Sequence, residues 1–177
     1  MIDAQDTGPQ QPDAETLRRV AKLRSAVREN FGSVAMAMMA LPRYRHLSIG
    51  DLQHLILEPM VQDRIALARR KDDDNPLGDV AGMAIWASVS ADVDARIREQ
   101  VSAGVFPIRL RPDEWKSGDI NWLFDVIAPD EASAASVIAN FRQVAKGGDL
   151  RLHPLVPRLV SKDILEKMGA APIGVKA

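Results

Sequence analysis

The stretch from Ile120 to Ala128 constrains this chain more than any other. It alternates as a β-strand, with Ile120, Trp122, Phe124 and Val126 on one face and Asn121, Leu123, Asp125 and Ile127 on the other. Asp125 thereby falls mid-strand between two large aliphatic neighbours on its own face, where a carboxylate loses water and needs a partner. Such an acid is either a satisfied polar group of the core or a site residue with a shifted pKa. Periodicity leaves both readings open.

The remaining elements follow from pattern and punctuation. Val80 to Ser90 is apolar on both faces (Met83, Ile85 and Val89; Ala84 and Trp86), as a central strand requires. Arg64 to Ala68 precedes it across the charged turn at 70–76. Val105 to Leu110 reads as a third strand, and Leu150 to Leu155 as a last one. A helix spans about Asp13 to Met39, carrying Leu17, Val20, Ala21, Leu23 and Val27, with Gly32 as a point where it divides. Ser48-Ile-Gly-Asp51 has the form of a capping box, with Leu47 and Leu52 as a hydrophobic staple. That helix is expected to run to about Leu57, stop before Pro59, and turn Ile49, Leu52, Leu55 and Ile56 inward. Ser90 caps a helix with Val93, Ile97 and Val101, closed near Gly104; Asp130 caps another with Val137, Ile138, Phe141 and Val144, ended by Gly147-Gly148. The tail from Ser161 reads as a weak helix. The expected fold is a single α+β domain with one mixed, largely antiparallel sheet flanked by helices.

With 177 residues there is room for one well-filled core and little more. A formal charge of −1 gives no bulk attraction for nucleic acid, although Arg18, Arg19, Lys22, Arg24 and Arg28 make the first helix locally basic. The absence of cysteine excludes disulfides, thiolate metal sites and a cysteine nucleophile. No apolar run reaches membrane-spanning length and the first residues lack the pattern of a signal peptide, so the cytoplasm is the expected location.

Three histidines are present. His54 falls on the solvent side of its helix, and His153 precedes Pro154 near a strand end. Their spacing matches no metal-ligand pattern, so no metal site is expected. His46 stands just before the N-cap of a helix, a place that disfavours imidazolium and so suits a general base near neutral pH. Read without other information it is an ordinary loop histidine. Ser117-Gly118-Asp119 is by itself a plain turn, and Trp86, Trp115 and Trp122 are core or rim aromatics.

Four pieces of wording recur in order: Leu41-Pro-Arg-Tyr-Arg-His-Leu; Asp51-Leu52 with Pro59 and Gln62; Ala84-Ile-Trp-Ala-Ser-Val-Ser-Ala-Asp-Val-Asp; and Trp115-Lys-Ser-Gly-Asp-Ile-Asn-Trp-Leu-Phe-Asp-Val-Ile-Ala-Pro129. From about Met38 to Phe141 the chain thus resembles the RTX toxin-activating lysine acyltransferases. The resemblance implies a fold similar to the GNAT acetyltransferases; the expected acyltransferase domain is 13–170, after a polar, proline-bearing tail at 1–12 that is expected to be disordered and before a C-terminal tail at 171–177. It implies transfer of a fatty acyl group from acyl carrier protein, the co-substrate, to lysine side chains of an RTX-type protoxin, with no cofactor. The partners are those two proteins, with no nucleic acid and no membrane span; the protein could also act as a homodimer.

That family's catalytic pair is a histidine in the first piece and the aspartate in the last. Asp125 matches directly. The family's Pro-x-His order places Tyr44 at the histidine position, and His46, two residues later, is assigned the role of base. Ser117, Gly118 and Tyr44 are expected on the substrate side, beside the acyl channel. The alternative is a non-catalytic relative that binds acyl carrier protein or an RTX-like client, prompted by Tyr44. A coenzyme A-dependent transferase is disfavoured because no Gly-rich pyrophosphate loop occurs.

Overall fold

Asp13 starts the first helix. Its carboxylate accepts the Thr16 N–H at 2.6 Å, and α1 then runs unbroken from Ala14 to Met39 in a computed structural model that describes residues 13–69, 80–128, 130–144, 150–159 and 171–172. Gly32 does not divide it. One glycine costs a helix only about 1 kcal/mol, and burial of Val34 and Met38 on either side of the next turn holds the chain helical. The apolar side chains of this helix are buried only in its second half; Leu17, Val20 and Leu23 are exposed.

Ser48 and Asp51 form the reciprocal box. The Ser48 N–H donates to Asp51 Oδ2 at 2.9 Å and the Asp51 N–H to Ser48 Oγ at 3.3 Å. The helical run that follows passes through a π segment at Gln53–Leu57 into α2 at Glu58–Val61, so it does not stop before Pro59. A wider π turn ahead of the proline accommodates the missing N–H, and Pro59 sits in the first turn of α2, where no donor is needed. Leu55 and Ile56 are buried as expected, but Ile49 is 89% exposed because it lies in the turn before the helix.

The sheet has the order β1 (Ile65–Arg69), β2 (Val80–Val89), β3 (Ile120–Ile127), β4 (Leu150–Leu152), β5 (Ala171–Pro172). The first three strands pair antiparallel, while β3–β4 and β4–β5 are parallel. The sheet is mixed and the architecture α+β. One face is covered by Val34 and Met38 of α1, Leu55 and Ile56, and Val93 and Ile97 of α3 (Ala91–Ser102). The other is covered by Ile138 and Phe141 of α4 (Glu131–Val144), packed on Leu123 and Val126. Ser90 and Asp130 cap α3 and α4 by accepting the N–H groups of Val93 and Ser133. The charged turn at 70–76, Gly147-Gly148 and the helix expected from Ser161 lie outside the described residues.

The strand expected at Val105–Leu110 is a loop. Pro107 has no N–H to give a ladder, and Arg109 finds its partners elsewhere. Its N–H donates to Gln100 Oε1 at 2.8 Å and its carbonyl accepts from Gln100 Nε2 at 3.0 Å. One side-chain amide on α3 thus satisfies the groups that a neighbouring strand would have taken.

Candidate active site

Pro42 turns the chain directly after α1. The 3-10 turn Pro42–Tyr44 begins with the proline, whose fixed φ suits a first helical position, and it delivers Arg43 and Tyr44 to the sheet. Tyr44 is 6% exposed and donates its phenolic proton to Asp125 Oδ2 at 2.6 Å. Arg43 Nη2 donates to Tyr44 Oη and to the Val126 carbonyl, both at 2.5 Å, and stands 3.5 Å from Asp125 Oδ1. Its guanidinium also lies 4.6 Å from the centre of the Tyr44 ring. The Val126 N–H closes the set on Asp125 Oδ1 at 2.8 Å.

Asp125 reaches this network because β3 is bulged. Ile85 of β2 pairs with Asp125, and the next residue, Trp86, pairs with Leu123. Leu123 and Phe124 therefore both oppose Trp86, a β-bulge that reverses the facing of every later side chain. Up to Phe124 the faces are those expected from alternation. Beyond it, Val126 packs with the α4 cluster and Ile127 with the α1 cluster. Asp125 accordingly turns to the side of Tyr44 and away from the face of Leu123.

The electrostatics follow from depth. Asp125 is 1% exposed, and burial pushes its carboxyl above the ordinary range; Arg43, the Tyr44 hydroxyl and the Val126 N–H pull the other way without cancelling the effect. Burial and the Asp125 charge drive the Tyr44 phenol far above its usual value, against the opposing pull of Arg43. Tyr44 is thus a fixed neutral donor and no base at physiological pH.

Each expected site residue has a definite place. His46 is exposed at the end of the same turn and makes no hydrogen bond among the described residues, so it is not joined to Asp125. Ser117 and Gly118 do not line the apolar cavity beside Tyr44. They brace the junction of β2 and α3: Ser117 Oγ accepts the Ser90 N–H at 2.9 Å, and a Cβ on Gly118 would stand 2.7 Å from backbone atoms of Val89 and Ser90. His54 pairs with Glu58 at 3.1 Å. His153 is buried, accepts the Leu155 N–H on Nδ1 at 3.3 Å, and is pushed down to about 4 by burial, with Arg158 adding to the effect. Arg43 is the member of the network that sequence reasoning missed. Its only signal was adjacency to Tyr44 within the Pro42–His46 run.

The cavity measures about 360 Å³ and lies between the end of α1 and the chain at 45–52. Ala35, Met38, Met39, Leu47, Ile49 and Leu52 give it apolar walls, and Tyr44, Arg45 and Ser48 supply the polar ones. Flexible methionine side chains suit an unbranched apolar guest. Among the described residues no cluster of three or more His, Asp or Glu side chains could hold a metal ion, and no helix is long and apolar enough to cross a membrane.

Compared with known families, residues 24–147 match the model of the RTX toxin acyltransferase family. The match holds the Pro42 turn, the bulged strand and Ser117-Gly118 together in one span. No curated protein matches the chain.

Proposed function

We propose that this chain, which belongs to the RTX toxin acyltransferase family, moves a fatty acyl group from acyl carrier protein to a lysine side chain of an RTX-type protoxin. The observation that carries the reading is the Tyr44–Asp125 hydrogen bond of 2.6 Å. It ties the turn bearing His46 to a buried carboxylate, beside a cavity with mostly apolar walls.

The chemistry divides between rim and interior. A lysine has an unperturbed pKa of about 10.4 and arrives as an ammonium. It also arrives on another protein, so the group that takes its proton has to stand at the surface, as His46 does. The ammonium releases one proton to water on reaching the site; as the neutral amine attacks the thioester carbonyl, His46 takes a second, the new C–N bond forms, the C–S bond breaks, and the imidazolium passes that proton to the departing thiolate, leaving an amide, a thiol and one proton in solution. Asp125 is too deeply buried to meet the lysine. Its role in this reading is positional: through Tyr44 and Arg43 it fixes the turn and supplies negative charge behind the developing imidazolium. The acyl chain lies along Met38, Met39 and Leu52.

The test is acylation of a protoxin lysine segment by the full chain with an acyl-acyl carrier protein thioester, followed by mass spectrometry. An acyl-lysine adduct that requires His46 is the expected result; no adduct with a competent donor and acceptor refutes the reading. A second reading is favoured by one observation, that Asp125 bonds a phenol held neutral rather than an imidazole. In that case the chain binds the carrier or the client without turnover, and complex formation without acylation identifies it.

A further inference from the structure

One buried polar side chain takes no part in the network around Asp125. His153 is 6% exposed; its N–H donates to the Leu123 carbonyl at 2.9 Å, and its Nδ1 accepts the Leu155 N–H at 3.3 Å. Burial, with the Arg158 charge adding to it, leaves the ring neutral at pH 7. A neutral imidazole carries one proton, and with Nδ1 accepting, that proton stands on Nε2. Nε2 has no hydrogen-bond partner among the described residues. A dehydrated donor in that state carries a cost that a bound acceptor removes.

The ring also has space beside it. His153 lines a cavity of about 250 Å³ between the end of α3 and the turn after β4, with apolar walls from Val101, Val105, Phe106 and Leu155. Gly104 ends α3 at a left-handed φ of 70°, which lets Val105 and Phe106 turn back to form one side. The Phe106 ring centre lies 5.6 Å from that of the imidazole. Arg158 lines the cavity as well, is exposed, and makes no ion pair among the described residues. No Asp or Glu stands among the lining residues. With Nδ1 committed to the Leu155 amide, Nε2–H is the polar atom that His153 presents to this space.

A donor and a cation without an acid call for an anionic acceptor, and the walls call for a hydrocarbon body. A cavity of about 150 Å³ takes a benzene ring, so this one has room for a ring or a short alkyl chain with its head group. We propose that the cavity between α3 and β4 binds a small apolar carboxylate, which accepts from His153 Nε2–H beside Arg158 and lays its hydrocarbon part against Phe106, Val101 and Val105. The site is distinct from the one around Asp125, and the proposal does not depend on the acyl-transfer reading. The two are joined through the backbone, since the carbonyl that His153 holds belongs to Leu123, a residue of the β3 bulge. Aliphatic and aromatic acids share this chemistry, and the experiment separates them.

The full chain, His153→Phe and Arg158→Gln are titrated at pH 7 with sodium octanoate, sodium benzoate and, as the uncharged control, 1-octanol. Calorimetry gives the affinity, and long-range 15N–1H spectra follow the imidazoles of His46, His54 and His153, the last identified by its loss in His153→Phe. At least one acid is expected to bind and to move the His153 Nε2 signals. Octanoate alone marks an aliphatic ligand and benzoate alone an aromatic one; either supports the site. Binding is expected to weaken at least tenfold in His153→Phe and about threefold in Arg158→Gln. Where octanoate is the ligand, 1-octanol is expected to bind about fivefold less tightly. Thermal melts verify that the variants fold; should His153→Phe fail to, Arg158→Gln and the wild-type His153 signals decide. The proposal is overturned if neither acid binds, or if both variants bind like the wild type. It is overturned equally by 1-octanol binding as tightly as octanoate, or by binding that leaves the His153 signals unmoved and so occupies another cavity, such as the one beside Tyr44.

Discussion

Replacing Tyr44 by phenylalanine removes one atom from the centre of the buried network. Oη donates to Asp125 Oδ2 at 2.6 Å and accepts from Arg43 Nη2 at 2.5 Å. Tyr44 is 6% and Asp125 1% exposed, so the bond lies in a largely dehydrated setting. A hydrogen bond to a charged acceptor contributes about 1.5–3 kcal/mol, and an orphaned buried acceptor costs on the same scale. Arg43 still stands near the other carboxylate oxygen at 3.5 Å, which keeps the expected loss at about 2 kcal/mol near pH 7, read by urea denaturation with an unchanged m-value. The sign with pH follows from the direction of the shift. Burial holds the Asp125 pKa above 3.8 and the Tyr44 bond opposes that rise, so the variant's Asp125 titrates higher than the wild type's. The difference in stability is therefore full above both folded values and closes as pH falls through the raised Asp125 range, where both carboxyls become neutral. A loss below about 0.5 kcal/mol, or one that does not narrow on acidification, refutes a bond made to a charged Asp125. Turnover within about tenfold of wild type is expected for Tyr44→Phe if His46 is the base; collapse to background transfers that role to the phenol's position.

Further outcomes follow from the other placements. His46→Ala is expected to lose about 10²–10⁴-fold in acyl-transfer rate while melting like the wild type, since the side chain is exposed and unpaired among the described residues. Asp125→Asn is expected to lose transfer with cooperative unfolding retained, and normal turnover by mass-spectrometric assay would leave Asp125 a core polar group only. Buried His153, pushed down to about 4, is neutral in the fold and binds a proton more readily when unfolded. Stability should therefore hold above pH 6.5 and fall by on the order of 2–3 kcal/mol between pH 6.5 and 4, a limb that His153→Gln should flatten in acid denaturation. Gly118→Ala places a Cβ 2.7 Å from the backbone of Val89 and Ser90, and a loss of about 1–3 kcal/mol is expected in thermal melts.

Local chemistry was the legible part of this chain. Asp13, Ser48, Ser90 and Asp130 announce helix starts because a cap is a contact between near neighbours in sequence. What the sequence concealed depends on partners far along the chain. The bulge at Phe124 exists only relative to β2, and alternation within β3 alone cannot show that Asp125 faces the Tyr44 side. Val105–Leu110 alternates well enough for a strand, but Gln100 satisfies Arg109 and no neighbour is needed. The α1 stripe is uniform in sequence, yet it is covered only where Leu55, Ile56 and the sheet lie against it. In each case the short-range pattern is permissive and the long-range packing decides.

The bulge and the proline turn matter together, because neither alone would make a site. Without the extra residue in β3, Asp125 would face α4 on the side of Ile138 and Phe141, apolar side chains that offer a carboxylate no donor. Without Pro42 closing α1, the backbone would carry Arg43 and Tyr44 onward around the helix instead of folding them onto the strand. The fold thus spends one irregularity in the sheet and one in the helix to bring a buried negative charge behind a surface turn. A lysine presented on another protein cannot enter a pocket that deep. In the proposed function, charge kept inside and an imidazole kept outside suit a bulky acceptor, and the low dielectric around Asp125 strengthens its hold on the turn. On the reading proposed, a tyrosine holds Asp125 where the resemblance places a histidine, and the base stands two residues later at an exposed position.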